Sequence, residues 1–113
     1  MPIPDPLPDE LVELMARRFR AMAEPVRIRI LLRLCACEAS VNDLAHELAA
    51  SQQNVSKHLA VLADSGLVGR RKDGTRVYYR IVDDHVAGLC EDVCGSVQDQ
   101  LRALSALVEG TAA

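Results

Sequence analysis

Apolar positions along this chain recur with a helical period, switch once to a strand-like period, and then return to a helical one. The clearest stretch is Ser51–Asp64, where Val55, Leu59 and Leu62 stand four and three apart and define one core-facing stripe. Ser51 supplies an N-cap hydroxyl, and Gly66 supplies a left-handed stop just past the end. Upstream, Val12, Met15, Phe19 and Met22 mark a helix capped by Asp9. Pro25 opens a second helix that reaches about Cys37 through Val26, Ile28, Ile30, Leu31, Leu32 and Leu34. Being apolar almost all round, it is expected at the buried centre. Ser40 begins a short third helix to Ala49. Residues 67–81 are rich in β-branched, aromatic and basic side chains, and Asp73-Gly74 predicts a two-residue hairpin turn. A last helix, capped by Asp83 or Asp84, runs to about Val108 on the stripe Val86, Cys90, Val93, Val97, Leu101, Leu104 and Val108. That stripe is longer than one small core can cover, which points to a second subunit.

The expected order is therefore α-α-α-α-β-β-α, mainly helical with a small β-hairpin, in one domain over residues 9–110. Residues 1–8 carry proline at every second position and are expected to form an extended arm. The chain has 113 residues, room for one modest core, and no apolar run of roughly 18 residues that would span a membrane. Without a basic-then-apolar leader, a cytoplasmic location is expected, with the four cysteines held as thiols.

A short helix, a tight turn, a second helix with a polar face and a basic hairpin make a winged helix-turn-helix. The polar face of the second helix carries Gln52, Gln53, Asn54, Ser56, Lys57 and His58 beside Ser51. Amides, hydroxyls, a cation and an imidazole suit base edges and phosphates, whereas a merely solvated helix carries Glu/Lys pairs. Charge supports the same partner, double-stranded DNA. The net charge is −3, yet six Lys/Arg lie between Lys57 and Arg80 against two acids, and from Asp83 to Glu109 Arg102 faces six acids. A local basic footprint on an acidic body favours specific docking. Lys57, Arg70, Arg71, Lys72 and Arg76 are expected on phosphates, with Gln52, Gln53, Ser56 and His58 reading bases.

Glu24-Pro-Val-Arg-Ile-Arg-Ile-Leu, Ser40-Val-Asn-Asp-Leu-Ala, Ser51-Gln-Gln-Asn-Val-Ser-Lys-His-Leu-Ala-Val-Leu and Gly66-Leu-Val-x-x-Arg-x-x-Gly-x-x-x-Tyr-Tyr together resemble the ArsR/SmtB family over about residues 10–100. The resemblance implies a homodimeric winged-helix repressor, many of whose relatives release DNA on metal binding or thiol chemistry. It also implies dimerisation through the first and last helices, and entry of the Ser51 helix into the major groove of an inverted-repeat operator.

Two constellations could carry the switch. Cys90 and Cys94 are one turn apart on a helix, and Cys35 and Cys37 sit where the second helix runs out. Thiolates in close pairs suit a soft metal or metalloid ion, or thiol chemistry, although cysteine is also a small buried hydrophobe. The second constellation is Asp83 and His85, placed where zinc- and nickel-sensing relatives carry an Asp-x-His pair. The positions that complete the site across the dimer in those relatives are Ser96 and Asp99 here. Asp99 could serve and Ser96 is a poor ligand, so zinc or nickel is the less favoured inducer. His46 is expected in solvent. No glycine-rich phosphate loop and no nucleophile with a base are present, so an enzyme is not expected. The remaining alternatives are a winged helix without a ligand switch and one that docks protein; a protein-docking helix would expose apolar anchors.

Overall fold

In the computed structural model, which describes residues 2–112, five helices and three short strands follow one another. They are α1 (Asp9–Met22), α2 (Pro25–Ala36), β1 (Ala39–Ser40), α3 (Val41–Glu47), α4 (Gln52–Asp64), β2 (Val68–Asp73), β3 (Arg76–Ile81) and α5 (Val86–Ala112). The order matches expectation except for β1. It pairs antiparallel with β3, Ala39 opposite Tyr79 and Ser40 opposite Tyr78, and makes the wing a three-stranded sheet of order β1-β3-β2. Of the proline-rich arm, residues 2–8 are exposed and outside any helix or strand; Met1 lies outside the described residues.

The core is the meeting of four helix stripes with the root of the wing. Ile30, Leu31 and Leu34 of α2, Leu44 of α3, Val55, Leu59 and Leu62 of α4, Leu67, Val68 and Val86 are all buried. Each contributes about 2 kcal/mol by leaving water. The expectation that α2 is buried nearly all round does not hold. Arg27, Arg29 and Arg33 interrupt it, and Ile28 and Leu32 stay 40% and 52% exposed, so only one face is in the core.

Local signals explain most boundaries. At the N-terminus of α3, Ser40 Oγ accepts from the Asp43 amide at 3.1 Å while Asp43 accepts from the Ser40 amide at 3.2 Å, a reciprocal capping box. Those bonds hold the Asp43 carboxyl below its usual range. At the other end of α4, Gly66 has φ +76°; its amide reaches Ala63 O and the Leu67 amide reaches Leu62 O, a Schellman closure. Two expectations shift. Asp9 is the first residue of α1, with Pro8 at the cap position and no side-chain cap bond. The hairpin loop is Gly74-Thr75, not Asp73-Gly74, because Asp73 is still paired with Arg76. Gly74, at φ +63°, takes the positive dihedral at the first loop position while Thr75 does not, the pattern of a II′ turn.

Candidate nucleic-acid interface

The reading face is set by how α3 hands the chain to α4. The turn between them passes through Ala49 at φ +52°, with Ala49 N bonded to His46 O and Ala50 N to Ala45 O. Ser51 then caps α4 by accepting from the Asn54 amide at 3.1 Å. With Val55, Leu59 and Leu62 fully buried beneath, the first turns of α4 present Gln52, Gln53, Asn54, Ser56 and Lys57 to solvent. No acid lies in that first turn to oppose a phosphate at the positive end of the helix.

Two of the expected reading residues have partners inside the chain. Gln52 Nε2 donates to Asn42 Oδ1 of α3 at 2.5 Å. His58 is half-buried, its Nδ1 3.4 Å from an Arg27 guanidinium nitrogen, and Arg27 is itself anchored to Ala21 O at 2.6 Å. His58 therefore belongs partly to the α2–α4 contact, whereas sequence placed it wholly on the open face. The far end of α4 is pinned to α1, where Arg17 donates to Asp64 O at 3.2 Å.

On the wing, Arg70, Lys72 and Arg76 are exposed, but Arg71 is engaged. It forms an ion pair with Glu38, lies 4.8 Å above the Tyr78 ring and is 3.7 Å from Asp73. The guanidinium holds the Glu38 carboxyl below its usual range, and Glu38 in turn raises Arg71. Sequence gave no hint of Glu38, Arg27 or Asn42, because each acts on a residue at least ten positions away.

The cysteines differ in exposure. Cys37 caps α2 in an extended conformation and is exposed; Arg33 reaches its carbonyl at 3.1 Å and its Sγ at 3.4 Å while bonding Glu47. Cys94 is exposed. Cys35, in the last turn of α2, is exposed, and Cys90 of α5 is half-buried against the core. Burial pushes both thiols up; the Glu91 carboxylate adds to the rise at Cys35, and Cys35 adds to it at Cys90.

The oxygen and nitrogen candidates do not meet within one subunit. Asp83 accepts from the His85 amide and pairs with Arg18 at 2.7 Å, which uses its charge. Asp99 pairs with Arg102, thirteen residues past Val86 and so about 20 Å along α5. Among the described residues, no three His, Cys, Asp or Glu side chains converge as a metal site. None of the described helices is long and apolar enough to cross a membrane.

A buried helix-turn-helix with an exposed amide face, flanked by a basic wing, defines a winged-helix DNA-binding regulator. The model of the arsR family of bacterial regulatory proteins matches residues 24–69. The chain is 43% identical to the HTH-type transcriptional regulator KmtR of Mycobacterium tuberculosis over 89 residues, covering 79% of this chain and 68% of that protein. It is 33% identical to the arsenical resistance operon repressor of Bacillus subtilis, covering 80% and 88%. Among solved structures, a homodimeric winged helix-turn-helix DNA-binding domain from Mycobacterium bovis superposes with a TM-score of 0.76 at 33% identity, covering 83% and 87%. This chain belongs to the ArsR family, as a DNA-binding transcriptional regulator and not an enzyme.

Proposed function

We propose that the protein is a cytoplasmic homodimeric repressor that holds an inverted-repeat operator and releases it after chemistry at Cys35 and Cys90. The single observation that carries the DNA half is the solvent-facing set Gln52, Gln53, Ser56 and Lys57 on the first turns of a helix otherwise buried. Two such helices related by a two-fold axis enter successive major grooves about 34–36 Å apart, while Lys57, Arg70, Lys72 and Arg76 hold phosphates. The exposed apolar stripes of α1 and α5 support the dimer, as does the homodimeric M. bovis relative.

For the switch, the packing of α5 on α2, which carry Cys90 and Cys35, together with the lack of a three-ligand cluster among the described residues, favours thiol chemistry over a metal held within one subunit. Two sulfurs suffice for a disulfide, formed with loss of two protons and two electrons to a peroxide or persulfide oxidant. A soft metalloid would need a third donor from outside the subunit, and relatives include a repressor named for arsenical resistance. The Asp83, His85 and Asp99 set is the weaker reading, since Arg18 and Arg102 already occupy its carboxylates. An inducer acts only by binding or modifying the DNA-competent and incompetent states differently.

The test begins with a duplex selected from a random pool by the reduced protein. That complex is then titrated with metal ions, arsenite, peroxide and a persulfide donor. Release by one of the last three, lost in Cys35→Ser and in Cys90→Ser with reduced-state affinity unchanged, is the expected result. Full release by the same agent in the double variant would make both thiols packing residues.

A further inference from the structure

One side-chain bond in the DNA-facing region joins a residue that sequence assigned to the reading face with one it did not. Gln52, the first residue of α4, donates one Nε2 hydrogen to Oδ1 of Asn42, in the first turn of α3, at 2.5 Å. Both side chains are exposed, so burial does not force the contact. It exists because the helix-turn-helix brings the N-termini of α3 and α4 together. The capping box of α3 fixes the backbone on which Asn42 stands, and the Ser51 cap fixes that of Gln52.

We infer that Asn42 is a positioning residue for base reading, holding the Gln52 amide in one orientation so that it selects adenine. The inference rests on the reading in which Gln52 faces bases. A glutamine amide has one acceptor oxygen and two N–H groups. With one N–H given to Asn42, the oxygen and the second N–H remain, and these are the two groups that an adenine edge matches, N6–H₂ donating and N7 accepting. A free amide can rotate by half a turn and offer the inverse pattern to another base. With the Asn42 Nδ2 group held on a phosphate, the Asn42 oxygen is left facing Gln52, and a rotated Gln52 amide would set its own oxygen against it. The bond also removes rotamer freedom that a long side chain otherwise loses on binding. The Asn42 Nδ2 group is left over for a phosphate, which would tie the pair to the backbone of the same half-site.

Selection of duplexes from a random pool, run with wild type, Gln52→Ala, Asn42→Ala and Asn42→Asp, tests this, with quantitative binding to the selected site and its single-base variants. In wild type, one adenine per half-site should be preferred and Gln52→Ala should erase that preference. Asn42→Ala should weaken the same preference about tenfold and leave other positions unchanged. Adding Asn42→Ala to Gln52→Ala should change it no further. Asn42→Asp keeps the acceptor oxygen and should keep the adenine preference while weakening binding to all duplexes through its charge. Both Asn42 variants should melt near wild type. If Asn42→Ala lowers affinity equally for selected and random DNA, or leaves the Gln52-dependent adenine intact, the positioning role is overturned. If Gln52→Ala alters no base preference, the assignment of Gln52 to base reading fails first, and the inference falls with it.

Discussion

Ala49 shows how one residue can carry a turn that its chemistry opposes. It holds φ +52° between α3 and α4 although it has a β-carbon, and the reading face depends on that turn. A left-handed residue other than glycine costs about 1–2 kcal/mol, partly offset by the smaller entropy an alanine loses on folding. Ala49 is exposed, so replacement by glycine removes no packing. Ala49→Gly is expected to stabilise the protein by about 0.5–1 kcal/mol, a rise of a few degrees in Tm at fixed protein concentration. An unchanged or lower Tm would mean the turn carries no such strain.

At the scale of elements, the wing and the α2–α5 contact separate what was legible from what was not. The stripe Val55, Leu59 and Leu62 and the caps Ser51 and Gly66 were readable because helix period and caps are local. β1 was not, since two residues become a strand only by pairing with Tyr78 and Tyr79 far along the chain. The hairpin was legible but its loop was displaced by one residue, because glycine serves either loop position and pairing of Asp73 with Arg76 decides. Spacing put the cysteines into two local pairs, whereas their exposure, with Cys90 half-buried and the other three exposed, is set by how α5 docks on the core. The Cys35 and Cys90 thiols are pushed above the ordinary range, so at neutral pH they are protonated and slow nucleophiles. Alkylation of the half-buried Cys90 by iodoacetamide should therefore lag behind an unfolded control and rise with pH through alkaline values, as followed by peptide mass spectrometry. Equal rates at pH 7 would contradict the burial argument. On the wing, the Arg70 side chain is exposed with no hydrogen-bond or ion-pair partner among the described residues, whereas Arg71 must leave Glu38 to reach a phosphate. Arg70→Ala should flatten the log–log salt dependence of DNA binding by about 0.9 per subunit, and Arg71→Ala by less. Glu38→Gln should tighten binding by freeing Arg71; weaker binding would show that the pair orders the wing.

The whole molecule is elongated, 62 × 43 × 20 Å, because α5 runs on beyond the core. Beyond Cys90 its large apolar residues are exposed, Val93 at 55%, Val97 at 47%, Leu101 at 60% and Leu104 at 53%, and Met15 and Phe19 of α1 are 41% and 54% exposed. An apolar surface of this extent is expected to be covered by a second copy. Light scattering at micromolar concentration should give a dimer mass, and Val97→Glu with Leu101→Glu should give monomer or unfolded chain. A wild-type monomer would remove the two-fold reading of the operator.

The length of α5 also sets a mechanical gain. Its 27 residues span about 40 Å, and Cys90 is the fifth of them, at the end docked on the core. Tilting such a rod by about 10° at its root sweeps the tip through about 7 Å, roughly two base-pair steps of duplex. A bond between sulfurs moves atoms by far less than that. Seated near the fulcrum, it would be geared up into a displacement large enough to take two reading heads out of register with their grooves.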